Sequence, residues 1–348
     1  MTSVSIIIPI YNVASYIDRC LESIFLQECD DVRIECILVN DCTPDESMKL
    51  VALKLSNYSG NISFIILNHS SNQGLSIARN TGLKAANNEF VLFVDSDDRL
   101  QPNAIHYLIG DLTDNLIDVI MGNTFICNRG TMAMSFKDDE PMLIDNEHEK
   151  GLRMLLSRDL FHTAWNKLIR RELLINNLIM FEDGIIEEDF LWSFLVFYHA
   201  KRILVKPQIT YYYENNPMSL TNTSNQNISW IINSRVIICS QIMNRPTRYS
   251  QLECNMYIFY ILIRAYNLFE QNRSHVSCLS EELYKIRNLF LRRVIRDGFF
   301  VQFVFFLTSV KPFYYINLCK WYRRYYNNIA DSVLAISRLF IKRHYVHS

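Results

Sequence analysis

Residues 4–12 read Val4-Ser-Ile-Ile-Ile-Pro-Ile-Tyr-Asn12. The apolar part of this stretch, Val4–Ile8, is followed along the chain by similar β-branched runs at Ile34–Asn40, Ile62–Leu67 and Phe90–Asp95. Short continuous apolar runs of this kind are typical of strands that are buried on both faces of a parallel sheet. The four runs therefore predict the central strands of one sheet.

Amphipathic stretches separate the predicted strands, at Ser15–Gln27, Ser47–Ser56 and Ser76–Asn87. In each stretch the apolar residues recur at helical spacing. Strands that alternate with helices over the first hundred residues are typical of a doubly wound α/β domain. The less regular section from Leu100 to Pro217 predicts one helix, Ile186–Ala200, and one strand, Ile209–Tyr213.

The polar residues that follow the predicted strands are candidate ligand contacts. Doubly wound sheets bind their ligands at the carboxyl ends of the strands, where the connections reverse direction. The residues at these positions are Pro9 to Asn12, Asn40-Asp41, Asn68 and Asp95 to Asp98.

Three carboxylates lie together in Asp95-Ser96-Asp97-Asp98. Like charges at this density favour a bound cation, and oxygen ligands without accompanying His or Cys select Mg²⁺ or Mn²⁺. The metal would then hold a diphosphate. The alternative is a solvated turn in which Asp97 or Asp98 caps the helix after Pro102.

Other residues on the same predicted edge support the metal interpretation. Asp41 ends the second strand, and Asn72-Gln73-Gly74 provides a glycine turn. Arg79 adds a guanidinium of the kind that binds phosphate oxygens, with a surface salt bridge as the less favoured alternative.

Four motifs in order carry a resemblance to a known family. They are Val4 to Asn12, Val39-Asn-Asp-Cys-Thr-Pro-Asp45, Asn72-Gln-Gly-Leu-Ser-Ile-Ala-Arg-Asn-Thr-Gly82 and Phe93-Val-Asp-Ser-Asp-Asp98. Together they resemble the family 2 glycosyltransferases of the GT-A fold. The resemblance continues through Trp165 to Leu173 and Glu188 to Trp192. One departure lies in the second motif, where Cys42 replaces the glycine that is common in the family.

The resemblance implies a role for each residue of the donor site. Pro9, Tyr11 and Asn12 would line the nucleotide pocket, with a strand-terminating turn as the alternative for the last two. The implied roles of the others are base contact for Asp41, loop turn for Gly74, phosphate contact for Arg79, ribose or sugar contact for Asp95, principal metal ligand for Asp97, and supporting or alternative metal ligand for Asp98.

A carboxylate is also needed on the acceptor side, because transfer with inversion requires a base that removes the hydroxyl proton. Glu187-Glu188-Asp189 opens a predicted helix, and the resemblance implies that Asp189 is the base, with Glu188 as the second candidate. The alternative is that these acidic residues only complement the helix dipole. Trp165 and Trp192 are interpreted as either a stacking wall for the sugar or ordinary core.

The composition divides the chain into a body and a tail. Its 348 residues are 49% apolar and 20% charged, which excludes a disordered or fibrous protein and suggests about two units. We predict a GT-A domain over residues 1–220 and an α-helical C-terminal region over residues 221–348, joined by a polar linker near Asn215–Asn227. Nine cysteines without a CxxC pair indicate a reducing cytosol.

The tail is basic and aromatic. Residues 283–348 contain 12 Lys and Arg against 2 Asp and Glu, together with 16 of the 44 aromatic residues. Helical stripes at residues 314–325 and 333–340 predict contact with an anionic membrane, with packing against the body as the alternative. A nucleic-acid partner is not predicted, because no recognised binding motif accompanies the charge.

The predicted function is metal-dependent, inverting transfer of a sugar from a nucleoside-diphosphate donor, a UDP-sugar, to a glycan or lipid-linked acceptor. The expected setting is bacterial surface-polysaccharide synthesis in the cytoplasm, at the inner face of the plasma membrane. A dinucleotide dehydrogenase is excluded because no GxGxxG follows an early strand. A nucleotidylyltransferase would need a Gly-rich loop where the chain has Pro9 to Asn12. The remaining alternative is a catalytically silent, membrane-associated protein that binds sugar nucleotides or acts as a scaffold.

Overall fold

The computed structural model describes residues 2–110, 116–127, 131–133, 140–146, 150–157, 162–214, 216, 228–245, 251–272 and 275–296. Within these ranges, ten strands form one mixed sheet, with helices packed against it. The tail helices predicted at 314–325 and 333–340, the boundary between residues 220 and 221, and the predicted linker apart from Asn216 lie outside the described residues.

The first half of the sheet contains four parallel strands in the order β3-β2-β1-β4. These strands are β1 (Thr2–Ile10), β2 (Val32–Asn40), β3 (Ser63–Asn68) and β4 (Phe90–Phe93). They are connected by helices α1 (Ile17–Phe25), α2 (Ser47–Ser56) and α3 (Leu75–Ala85). The predicted doubly wound α/β arrangement is confirmed, with element ends that differ from the predicted ends by a few residues.

Strand β1 is buried on both faces, as its sequence predicts. Ile6 and Ile8 belong to one cluster of buried apolar side chains, whereas Ile7 belongs to another on the opposite face. Pro9 lies within β1 rather than after it, in register with Val39. A proline is tolerated at this position because the backbone groups of residues 7 and 9 point towards β4, as the hydrogen bond from the Val94 amide to the Ile7 carbonyl shows. Strand β4 ends opposite Ile7, so residue 9 has no strand partner on that side.

The second half of the sheet is mixed and extends in the order β4-β9-β6-β10-β5. Only one helix and one strand of this section were predicted. Its elements are β5 (Arg99–Leu100), α4 (Ala104–Ile109), β6 (Val119–Ile126), β7 (Thr131–Ala133), β8 (Met142–Asp145), α5 (Lys150–Ser157), β9 (Lys167–Arg170), α6 (Arg171–Asn176), α7 (Glu188–His199) and β10 (Arg202–Tyr213). Strand β9 runs antiparallel to both β4 and β6, so the sheet is not parallel throughout.

Three C-terminal helices pack against this sheet. They are α8 (Ile228–Met243), α9 (Gln251–Gln271) and α10 (Ser280–Arg296), and a short 3₁₀ helix at Ser277–Leu279 precedes α10. One apolar cluster runs from Ile7 in β1 to Tyr257 in α9 and Phe290 in α10. The C-terminal helices therefore share a hydrophobic core with the sheet. None of the helices in the described part of the chain has the length and apolar character that a membrane crossing requires.

Helix α3 lies unusually close to the sheet. A Cβ atom on Gly82 would overlap the Ile7 side chain of β1, so the glycine permits the close approach. This packing fixes the helix that carries Arg79 against the strand from which the candidate site begins.

Candidate active site

The predicted acidic cluster forms in the turn after β4. One carboxylate oxygen from each of Asp95, Asp97 and Asp98 lies within 4.8 Å of the others. The turn is closed by a hydrogen bond from the Asp98 amide to the Asp95 carbonyl, 3.0 Å long. Neither Asp97 nor Asp98 caps the next helix, because Asn103 is the N-cap residue of α4. The capping alternative is therefore wrong.

Strand β10 and the residues after it hold the cluster from the opposite side. Tyr211 Oη donates to Asp98 Oδ2 at 2.8 Å, and the Glu214 amide donates to Asp98 Oδ1 at 2.8 Å. Asn216 Nδ2 donates to Asp97 Oδ2 at 2.9 Å. Both oxygens of Asp98 are thus engaged by the protein, and Asp98 is 2% exposed whereas Asp97 is half-buried.

The electrostatics of the cluster suit a cation. Burial, followed by the neighbouring charge of Asp95, raises the pKa of Asp97 and raises that of Asp98 strongly. Carboxylates that raise one another's pKa are stabilised by a positive charge placed among them. The donor set consists of hard oxygen atoms, which fits Mg²⁺ or Mn²⁺. Asp97 would hold such an ion, with Asp98 as the supporting or alternative ligand, and the contact of Asp95 with the ribose or sugar stays a prediction.

A second network lies at the ends of β2 and β3. Asp41 accepts hydrogen bonds from the amides of Gln73 and Gly74, both at 2.8 Å, and its Oδ1 lies 2.7 Å from His69 Nδ1. Asp41 is 3% exposed, so its carboxylate shapes the loop that leads into α3. Gly74 has φ 91° and ψ 164°, a conformation that is essentially restricted to glycine. A hydrogen bond from Asp41 to the base of the donor nucleotide stays a prediction.

The turns after β1 and β2 contact each other. The Asn12 amide donates to Thr43 Oγ1 at 2.8 Å, and Tyr11 presents a side chain that is 46% exposed beside it. Asn12 and Cys42 have φ values of 55° and 56°. Cys42 thus adopts the left-handed conformation that glycine favours, at the position where the sequence departs from the motif that it resembles. It stays a prediction that the nucleotide pocket is lined by Pro9, Tyr11 and Asn12.

Arg79 joins the acidic cluster to α7. It is 1% exposed, so the surface salt-bridge alternative is wrong. Its Nη2 donates to Asp95 Oδ1 at 2.8 Å, and its Nη1 donates to Glu188 Oε1 at 2.8 Å and to Asp189 Oδ1 at 2.9 Å. Burial opposes the charge of Arg79, but Asp189, Asp95 and Glu188 together raise its pKa. The predicted phosphate contact stays a prediction.

The two candidate general bases, Glu188 and Asp189, lie in the first turn of α7. Asp189 Oδ2 accepts a hydrogen bond from the Ala164 amide at 3.1 Å. Burial raises the pKa of Asp189 above its ordinary value even though Arg79 opposes the rise. Burial and the charge of Asp189 raise the pKa of Glu188 to about 7. Helix-dipole complementation alone does not account for a buried and a half-buried carboxylate that share one guanidinium.

Several residues at the site were missed by the sequence analysis. Tyr211 and Asn216 bind the acidic cluster, His69 contacts Asp41, and Lys167 donates to the Thr163 carbonyl at 2.5 Å beneath Asp189. Burial lowers the pKa of Lys167 to about 7, although the charge of Asp189 opposes this effect. The sequence signal for Tyr211 was the run Tyr211-Tyr212-Tyr213, which is equally typical of core residues.

The two tryptophans occupy different environments. Trp192 is 0% exposed and packs against Phe93 and Phe181, with ring centroids 5.5 and 4.8 Å away. A sugar-stacking role for Trp192 is therefore wrong. Trp165 is buried against Tyr211, with ring centroids 4.5 Å apart, and so it supports the tyrosine that binds Asp98.

Residues 5–178, half of the chain, match the family model of Glycosyl transferase family 2. The chain belongs to glycosyl transferase family 2. It is 34% identical over 222 residues to the uncharacterized glycosyltransferase EpsJ of Bacillus subtilis, an alignment that covers 63% of this chain and 62% of EpsJ. It is 29% identical over 216 residues to the poly(ribitol-phosphate) beta-N-acetylglucosaminyltransferase TarS of Staphylococcus aureus, which covers 61% of this chain and 35% of TarS. The chain thus spans less than two thirds of either relative.

Solved structures share the fold of this family 2 member. TarS residues 1–349 in complex with UDP-GlcNAc superpose with a TM-score of 0.64 and 21% identity, covering 85% of this chain and 80% of that one. The mannosyltransferase PcManGT from Pyrobaculum calidifontis, in complex with GDP-Man and Mn²⁺, gives a TM-score of 0.52 at 15% identity over 92% of this chain and 84% of that one. The predicted GT-A fold is therefore confirmed.

Proposed function

We propose that this family 2 protein transfers a sugar from a nucleoside-diphosphate sugar, specifically a UDP-sugar, to a hydroxyl of a glycan or lipid-linked acceptor, with inversion at the anomeric carbon. The observation that carries the proposal is the hydrogen-bonded connection from Asp95 through Arg79 to Asp189. It links the acidic cluster, where a donor diphosphate would be held, to a carboxylate suited to activate an acceptor.

The acidic cluster is the proposed donor end of the site. Asp97 is preferred over Asp98 as the principal metal ligand, because both oxygens of Asp98 already accept hydrogen bonds from Tyr211 and Glu214. When bound, Mg²⁺ or Mn²⁺ stabilises the negative charge that develops on the departing diphosphate. Asp97 and Asp98 would hold the ion, and Asp95, in the same turn, is hydrogen-bonded to Arg79.

Asp189 is the proposed general base. Its side chain is 22% exposed against 11% for Glu188, so it is the more accessible of the two carboxylates. Asp189 takes the proton from the acceptor hydroxyl while the acceptor oxygen bonds to the anomeric carbon. The bond between that carbon and the diphosphate breaks, and the nucleoside diphosphate leaves. A raised pKa makes Asp189 a stronger base than an ordinary aspartate.

The choice of substrates rests on similar proteins. TarS, by name, transfers N-acetylglucosamine to poly(ribitol phosphate), and its structure holds UDP-GlcNAc. By analogy, we propose a UDP-sugar donor and a bacterial surface glycan acceptor. The tail's excess of 10 positive charges supports a location at an anionic membrane on the cytoplasmic side, where a lipid-linked acceptor would be available.

A donor screen tests the proposal. UDP-, GDP- and CDP-sugars are each titrated calorimetrically against the wild-type protein and Asp97→Ala, with and without Mn²⁺. We expect a UDP-sugar to bind the wild type in a Mn²⁺-dependent way and expect the variant to lose that dependence. The proposal is overturned if no nucleotide sugar binds, or if binding is indifferent to both Mn²⁺ and Asp97.

A further inference from the structure

The segment that leads into α7 is held by the C-terminal helix α8. Trp230 Nε1 donates to the Gly184 carbonyl at 2.9 Å, and the Ile186 amide donates to Ser234 Oγ at 2.9 Å. These contacts fix the backbone of the segment shortly before the catalytic pair begins. They come from a part of the chain that is separated from the segment by more than 40 positions.

Glu187 receives the strongest of these contacts. Arg235 Nε and Nη2 donate to its two carboxylate oxygens, both at 2.8 Å, in a bidentate arrangement. Arg264 Nη2 adds a contact to the same carboxylate at 3.4 Å. The third nitrogen of Arg235, Nη1, donates to the Arg264 carbonyl at 2.8 Å. Arg235 is buried, so the pair is shielded from solvent and geometrically well defined.

The backbone at Glu187 is in an unfavourable conformation. Its φ of 62° and ψ of 32° place a glutamate in the left-handed region immediately before the first helical residue of α7. Such residues are strained and persist only where the surrounding structure holds them. The bidentate contact with Arg235 is the interaction that holds this residue in place.

Three consecutive carboxylates are thereby divided between two arginines. Glu188 and Asp189 are bound by Arg79 from α3, whereas Glu187 is bound by Arg235 from α8. Without Arg235, Glu187 would keep only the longer contact with Arg264, and the residue that precedes α7 would lose its bidentate partner. The start of α7, which carries Asp189, is therefore contacted by Arg79 through Glu188 and Asp189 and by Arg235 through Glu187.

We infer that Arg235, acting through Glu187, is a positioning residue for the Glu188–Asp189 pair. The inference rests on the proposed function, because it assigns the C-terminal helical region a part in completing the base site. The family match ends at residue 178, before both members of the Arg235–Glu187 pair. Arg235 donates to Glu187 and to the Arg264 carbonyl rather than to the acidic cluster at the proposed donor end, so its expected effect is on turnover rather than on donor affinity.

The test compares Arg235→Gln and Glu187→Gln with Arg170→Gln. Arg170 Nη1 donates to Glu89 Oε1 at 2.8 Å, a matched arginine–carboxylate pair away from α7. For each variant we measure kcat and KM for sugar transfer, the Kd for UDP by calorimetry, and hydrogen–deuterium exchange of amides 184–190. Glu187→Gln keeps a hydrogen-bond acceptor for Arg235, so it provides a folded variant if Arg235→Gln does not fold.

We expect Arg235→Gln to lower kcat by about 10- to 100-fold, because a misplaced base loses its alignment, while the Kd for UDP changes less than about twofold. Glu187→Gln should have a smaller effect in the same direction, and Arg170→Gln should behave as the wild type does. Exchange at residues 184–190 should accelerate in Arg235→Gln and not in Arg170→Gln.

The outcomes separate this inference from the proposed function. If the wild type transfers sugar and both Arg235→Gln and Glu187→Gln keep the wild-type kcat, Arg235 does not position the base and the inference is overturned. An equal fall of kcat in Arg170→Gln would overturn it as well, since the effect would be general. A wild type that transfers no sugar from any nucleotide donor would instead remove the proposed function on which the inference depends.

Discussion

Arg79 and Asp189 are 110 positions apart in the sequence, yet the Arg79 guanidinium donates to the Asp189 carboxylate over 2.9 Å. Asp95 and Glu188 accept hydrogen bonds from the same guanidinium. The arginine is buried over the ring of Phe181, 5.1 Å from its centroid. A single cation therefore bridges carboxylates from the proposed donor and acceptor sides of the site.

Removal of this cation should be costly for stability. In Arg79→Met, three carboxylates lose their common partner in a buried setting, and we expect the free energy of unfolding at pH 8 to fall by about 3 to 5 kcal/mol. Urea unfolding measures the change. Arg19→Met is the control, because Arg19 is exposed and lies 3.9 Å from Glu214, so its loss should cost below about 1 kcal/mol. Equal costs for the two variants would contradict the role of Arg79.

Asp189→Asn should separate chemistry from binding. The amide is nearly the same size as the carboxylate and can still accept the Ala164 hydrogen bond, but it cannot take a proton at neutral pH. We expect kcat to fall by about 10² to 10⁴, the usual contribution of a general base, with donor affinity preserved. Steady-state transfer assays and calorimetry measure the two quantities.

Asp145→Asn is the matched control for that substitution, because Asp145 is exposed on β8 and pairs with Arg202. It should leave kcat unchanged. Full transfer activity in Asp189→Asn would favour the alternative of a silent sugar-nucleotide-binding or scaffold protein over an enzyme that uses this base.

The sequence predicted those parts of the fold that depend on local patterns. The runs at β1, β2, β3 and β4 carry enough consecutive apolar residues to identify buried strands without knowledge of their partners. The acidic turn was also predictable, since Asp95, Asp97 and Asp98 are close in sequence and their proximity in space follows from it. The parallel direction of these four strands follows from their alternation with helices, which act as crossover connections.

The parts that could not be predicted depend on contacts between distant segments. Strand β9 has only four residues, two of them basic, so its pattern does not distinguish it from a loop. Whether Arg79 was buried or exposed depended on carboxylates more than 100 positions away. The hydrogen bonds that Tyr211 and Asn216 make to the acidic cluster likewise depend on where β10 ends relative to β4, which no local signal encodes.

Tyr211→Phe should weaken the proposed metal site while leaving the fold intact. Tyr211 Oη donates to Asp98 and accepts from the Asp95 amide at 3.2 Å, so the hydroxyl orients two members of the cluster. Loss of such outer contacts typically lowers metal affinity by about 10- to 100-fold. The phenylalanine ring can still stack on Trp165, which preserves the packing.

Calorimetric titration of Mn²⁺ in the presence of UDP measures the change in Tyr211→Phe. Tyr212→Phe provides the neighbouring control, since the Tyr212 ring lies under the Arg99 guanidinium, 3.9 Å from its centroid. We expect the control to bind Mn²⁺ as the wild type does. Unchanged Mn²⁺ affinity in Tyr211→Phe would show that the Asp98 orientation is irrelevant to metal binding.

Glu188 should make the free energy of unfolding fall as pH rises, which is opposite to the effect of a carboxylate whose pKa is lowered on folding. Burial and then Asp189 raise its folded-state pKa from 4.5 to about 7, so between these values the folded protein binds more protons than the unfolded chain. The free energy of unfolding therefore falls as pH rises through this window, by about 3 kcal/mol at full effect. Below pH 4.5 the contribution of Glu188 is fully present.

Glu188→Gln removes this titration, because glutamine is neutral throughout. The free energy of unfolding of the variant minus that of the wild type should therefore be larger at pH 8 than at pH 5. Arg79 keeps its hydrogen bonds to Asp95 and Asp189 in the variant. Urea unfolding at the two pH values measures the difference, and Glu46→Gln, on the surface, controls for the loss of one carboxylate. If the gap between Glu188→Gln and the wild type is the same at both pH values, Glu188 is already ionised at pH 5, and the attraction of Arg79 outweighs burial.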